Sequence, residues 1–157
     1  MVRFRFVAVT AFCVLLQVCI LQSCIHSSTT TIVMNPTRDV TLPDGANISA
    51  EVEIKPEDMA RGMMYRDSVA PDRGMLFVHA ETGEYPYWMA NCKFPLDIIW
   101  MDSTHKVVEI SAKTPPCPQG GSDCPNYGGH APAQFVLELG GGQAAQHGVT
   151  VGSAIHF

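Results

Sequence analysis

Charge is scarce in this chain of 157 residues: Asp, Glu, Lys and Arg make up 16%, with 10 Lys and Arg against 15 Asp and Glu. The formal net charge of −5 leaves no concentrated basic face, which argues against a nucleic-acid partner. Also missing are Gly-x-Ser-x-Gly, a phosphate-cradling Gly loop and His-Glu-x-x-His, so nucleophilic serine, nucleotide and zinc-peptidase chemistries have little support. The N-terminal apolar run, residues 6–21, falls short of the roughly 20 residues a spanning helix needs. No internal repeat and no dividing linker is visible. What is present, 46% hydrophobic residues over a length near the single-domain mode, argues for one folded domain with a real core.

The N-terminus reads as a targeting segment at 1–23. Arg3 and Arg5 form a positive region, the apolar run follows, and Leu21-Gln22-Ser23-Cys24 is similar to a bacterial lipobox. The expectation is cleavage before Cys24, lipidation of Cys24 and a tether over 24–37. Plain secretion and an uncleaved anchor are the alternatives. Removing Arg3 and Arg5 takes the charge to 8 − 15 = −7. In the oxidising compartment that export implies, Cys117 and Cys124 close a Gly- and Pro-rich loop as a disulfide. Two thiols are too few for structural zinc, although His130 lies near in sequence. Cys92 is left as a buried thiol.

The body, 38–157, reads as short strands with frequent turns. Residues 47–54 alternate Ile48, Ala50, Val52 and Ile54 against Ser49, Glu51 and Glu53, a strand with one apolar and one polar face. Pro43-Asp44-Gly45-Ala46 turns it back on a piece around Val40 and Leu42. Pro56 starts and Gly62 stops a short helix with acids in its first turn. Further strands are expected at 75–79, 87–90, 96–102, 106–111, 134–139 and 153–157, with a second short helix at 142–148. The fold class is mostly β (α+β by strict count), a compact β-sandwich or small barrel with two short helices.

Several linked segments carry a family likeness: Arg61-Gly62-Met63-Met64-Tyr65-Arg66, Asp72-Arg73-Gly74-Met75-Leu76-Phe77, Tyr87-Trp88-Met89-Ala90-Asn91, Pro95-Leu96-Asp97-Ile98-Ile99-Trp100-Met101-Asp102 and Val136-Leu137-Glu138-Leu139. In order and spacing the chain resembles the uncharacterised bacterial and archaeal family "domain of unknown function 192" over about residues 38–157. The resemblance implies a compact, mostly β fold, often exported or tethered, and no assigned reaction. That family commonly has Lys before the Asn and Thr after it, where this chain has Ala90 and Cys92.

Candidate chemistry centres on polar residues in apolar surroundings. Asp97 begins a strand among Leu96, Ile98 and Ile99, and an unpaired carboxylate there is costly. Arg66 is its expected partner, with Asn91 satisfying turn groups. Two readings stay open: a structural network that fixes a loop, or a ligand cleft built from Arg66, Asn91 and Asp97 and lined by Tyr65, Tyr87 and Trp88. A carboxylate pair, Asp97 with Asp102, would suit an envelope carbohydrate hydrolase only at the right separation, and odd spacing on a strand opposes it. Met59, Met63, Met64, Met75, Met89 and Met101 with His79 and Cys92 are soft donors for Cu(I), with core packing the plainer role. No cofactor is expected. The leading expectation is a non-enzymatic cell-envelope module, periplasmic or on the outer face of a membrane, that binds a small polar ligand or a protein partner.

Overall fold

The computed structural model describes residues 36–157. The expected targeting segment, the lipidation site at Cys24 and the tether as far as residue 35 lie outside these residues, while Thr37, expected in the tether, already opens the first strand. The chain runs β1 (Thr37–Thr41), β2 (Asn47–Glu53), α1 (Pro56–Arg61), β3 (Arg73–Gly83), β4 (Tyr87–Trp88), β5 (Leu96–Met101), β6 (Val107–Thr114), β7 (Asn126–Tyr127), β8 (Ala133–Gly140) and α2 (Gln143–Gln146). Six strands form one sheet in the order β1-β2-β3-β8-β5-β6, and β4 pairs with β7 in a two-stranded ribbon. The architecture is β-rich and sandwich-like, with two short helices.

Local chemistry explains the elements. The Asp44 carboxylate accepts from the Ala46 amide at 3.0 Å, and Gly45 has φ +88°, so the β1–β2 turn closes tightly. Pro56 opens α1, Glu57 and Asp58 sit in its first turn, and the chain leaves through Gly62 at φ +45°. Because β2 and β3 pair in parallel, a crossover is obligatory, and α1 lies within it. The other paired strands are antiparallel.

Both faces of the large sheet are covered. Ile48, Leu76, Ile99 and Leu137 belong to one core cluster, closed by Val149 and Ile155 from the C-terminal segment. Met75, Phe77, Ile98, Trp100 and Val136 belong to the other, under the ribbon and the cysteine loop. Tyr87 of the ribbon meets Phe77 and Trp100 edge-on, with centroids at 5.1 and 5.8 Å. Gly128 lets the loop after β7 lie on Trp100. Its φ is +61°, and a Cβ there would stand 2.3 Å from the indole. At ~25 cal/mol per Å², burial of these side chains dominates the stability.

Three local expectations are corrected. The ribbon strand holds only Tyr87 and Trp88, because Met89 turns fully inward and Ala90 bridges to Cys117. Residues 153–157 form no continuous strand. Ala154 bridges to Lys106 and His156 to Thr41, so the tail is shared between two strands. The face of β2 read as polar is not open to solvent, since Glu53 is buried and Glu51 half-buried beneath the second layer. The disulfide Cys117–Cys124 is present, and Cys92 is buried and free.

Candidate functional site

Strand register gathers the acids of one face. Glu51 lies opposite Met75, and Met75 opposite Glu138, so the three share one row across β2, β3 and β8. Arg66, from the turn after α1, grips Glu51 with two parallel bonds, Nη1 to Oε1 at 2.6 Å and Nη2 to Oε2 at 2.8 Å. Those bonds hold the Glu51 carboxyl below its usual range and raise Arg66. Arg73 reaches Ser49 Oγ at 3.3 Å. Glu138 is only 4% exposed, and its Oε2 has no hydrogen-bond partner. Burial pushes its pKa up to about 8 against a weaker pull from Arg66, so it keeps its proton at neutral pH. Burial first, then Glu138, pushes the Cys92 thiol up to about 11. A thiol with so little thiolate is a poor nucleophile.

The expected Arg66–Asp97 couple does not form. Asp97 alternates with Leu96 and Ile98, so its side chain lies on the opposite face from theirs, while Arg66 joins the face of Met75. Asp97 is wholly buried and serves as a backbone clamp. Its Oδ1 accepts from the Lys113 amide at 2.7 Å, and its Oδ2 from the Gly142 and Ala144 amides at 2.9 and 2.7 Å. Those amides belong to a β6 residue with φ +48° and to the start of α2. Asp102 is likewise used locally. Its Oδ1 accepts from the Thr104 amide, the Thr104 hydroxyl and the Lys106 amide at 2.7–3.0 Å. Neither carboxylate is left poised for acid–base work, and the paired-carboxylate hydrolase is set aside.

The remaining site residues divide. Tyr65 is exposed at φ +64°, and its amide donates to the Asn91 carbonyl. Asn91, at φ +56°, takes the Cys117 carbonyl with its own amide and reaches Met64 Sδ with Nδ2 at 3.7 Å. Asn91 thereby splices the turn after α1 to the disulfide loop. Tyr87 and Trp88 line a groove of about 250 Å³ with Met59, Ala60, His79, Tyr85 and Pro86. Arg66, Asn91, Asp97 and Tyr65 do not line it. His79 stacks on Tyr85 at 3.5 Å with planes 2° apart, and its Nε2 lies 3.2 Å from the Tyr87 hydroxyl. Burial lowers His79 and raises Tyr87, so both walls are neutral at pH 7. The Trp88 indole is 44% exposed at the rim.

Of the soft donors considered for Cu(I), Met101 alone lies in the other layer, while Met59, Met64 and Cys92 belong with Met63, Met75 and Met89 in the packed core under the ribbon. Among the described residues, no group of three or more His, Cys, Asp or Glu is arranged to hold a metal.

The family model described as DUF192, uncharacterized ACR, matches residues 40–157. The chain belongs to the DUF192 family. Two solved structures share the fold with a TM-score of 0.69 each. One is a protein of unknown function from Novosphingobium aromaticivorans, 26% identical, covering 81% of this chain and 89% of that one. The other is described as a "putative transcription regulator" from Sinorhizobium meliloti, 28% identical, covering 79% of this chain and 95% of that one. No curated protein matches. Glu138 falls in the Val-Leu-Glu-Leu segment shared with this DUF192 likeness, and reading the sequence did not single it out as a site residue. The signal was available, because an acid inside an apolar strand run must be paired, neutral or strained.

Proposed function

We propose that this DUF192 protein is an exported, non-enzymatic module of the cell envelope that binds a small polar ligand in the groove between His79, Tyr85, Tyr87 and Trp88. The observation that carries the reading is the groove itself. Flat aromatic walls offer an apolar ring face, and the paired His79 Nε2 and Tyr87 hydroxyl offer neutral hydrogen-bond groups at one spot. Export and tethering through Cys24 are part of the proposal. They are supported by the positive N-terminus, the apolar run, the lipobox-like stretch and the disulfide. A regulator's role on DNA, suggested by the name of the Sinorhizobium protein, fits poorly with a net charge of −5.

Tryptophan fluorescence tests it directly. Trp100 is wholly buried and Trp88 is exposed, so a ligand in the groove shifts only the Trp88 emission. Screening neutral sugars, amino acids and amides should find ligands that shift the emission and raise Tm, with both effects lost in Trp88→Ala. A screen in which no ligand does either, or in which Trp88→Ala binds unchanged, rejects the groove as the site.

A further inference from the structure

A second groove, on the opposite layer, has different chemistry. It holds about 360 Å³ and is walled by Val52, Leu76, Val78, Phe135 and Phe157, with Arg38 at its edge. Small-molecule sites run from ~300 Å³ upward, so this one suits a slim ligand. Its far wall is rigid. Phe135 and Phe157 meet edge-on at 5.2 Å, and His105 stacks on Phe157 at 3.9 Å. The charge pattern is set by strand alternation. Arg38 lies opposite Ala50, so its side chain belongs to this face. Asp39 lies opposite Ser49 and belongs to the other face, while Pro36 and Thr37 complete the groove's lining beside Arg38. Among the described residues Arg38 makes no ion pair. Asp102, whose charge acts on His105 as that of Arg38 does, has its Oδ1 committed to the turn at Thr104 and Lys106. The Arg38 charge is felt behind the groove wall, where burial first and then Arg38 lower His105 against an opposing pull from Asp102.

We propose that this groove binds a single-chain amphiphile with a carboxylate head, its alkyl chain along Val52, Val78 and Phe157 and its carboxylate on the Arg38 guanidinium. An apolar trough with one unneutralised cation complements one anion on one apolar tail. A guanidinium matches a carboxylate bidentately, which an alcohol or an ammonium head does not reproduce.

Calorimetric titration of the purified full chain with decanoate, decanol and decyltrimethylammonium decides it. Decanoate should bind more tightly than decanol by roughly fivefold, the scale of an exposed ion pair, and the ammonium should bind most weakly. Octanoate should bind up to roughly tenfold more weakly than decanoate, because two methylenes leave the trough. Arg38→Gln, at an exposed position, should remove the preference for decanoate and leave decanol binding unchanged. Val78→Trp should weaken both ligands by filling the trough, while Trp88→Ala should alter neither, which separates this site from the aromatic groove. Equal affinity for decanoate and decanol, a preference that survives Arg38→Gln, or no binding of decanoate overturns the proposal.

Discussion

Replacing Glu138 by Gln isolates what its charge does to the sheet. In the unfolded chain this carboxyl ionises near its ordinary 4.5, whereas in the folded protein it holds its proton until about 8. Between those values unfolding releases a proton, so stability falls as pH rises, by about 1.4 kcal/mol per pH unit. The loss reaches about 3 kcal/mol by pH 7 and about 5 kcal/mol once the folded form has also ionised. Below pH 4.5 both states are protonated and the effect vanishes. Gln keeps the shape and cannot ionise, so the variant should gain steadily on the wild type from pH 5 to pH 8. Its absolute offset matters less, since the amide also brings a buried donor costing about 1–3 kcal/mol if unpaired. The measurement is guanidinium unfolding of both proteins at pH 5, 6, 7 and 8. Glu51 and Glu109 are held below their ordinary range and act only under acid conditions outside this window. Parallel stability curves for the two proteins across pH 5–8 would refute the argument.

Two further expectations follow from the corrected pairings and the cysteine loop. Asp97→Asn should cost about 3 kcal/mol in denaturant unfolding, because one amide oxygen cannot serve three backbone N–H groups and the new NH2 faces donors. Arg66→Ala, which frees a half-exposed pair, should cost only about 1 kcal/mol, and equal losses at the two sites would contradict their assigned roles. Cys117→Ser with Cys124→Ser opens a loop of eight residues and should cost about 2–3 kcal/mol by loop entropy, read as a lower Tm under non-reducing conditions. An unchanged Tm would mean that the Asn91 contacts alone hold the loop.

Elements with local punctuation were legible in the sequence: the Pro-Asp-Gly-Ala hairpin, the helix bounded by Pro56 and Gly62, and the Gly- and Pro-rich disulfide loop. The face assignment of Asp97 was not. Every residue of β5 is buried, so no apolar–polar alternation marks which way each side chain points. With that parity hidden, Arg66 reads as the partner of Asp97 because a guanidinium can clamp a carboxylate with two bonds, whereas the carboxylate it clamps is that of Glu51 across the crossover. Glu51 and Glu53 were assigned to solvent because β2 alternates cleanly; only the long-range packing of the second layer encloses them. Of the expected site, Tyr87 and Trp88 remain together, joined by His79 and Tyr85 through a contact that spacing along the chain does not announce.

The position of β8 sets a timetable for the ribosome. Its two neighbours, β3 and β5, are made long before it, and neither gains its shared partner until residues 133–140 are translated. Between the completion of β6 at Thr114 and the arrival of β8, the nascent chain therefore carries two half-sheets whose inner edges, β3 and β5, are unpaired. Those waiting edges of β3 and β5 are the places where pairing with another chain would begin.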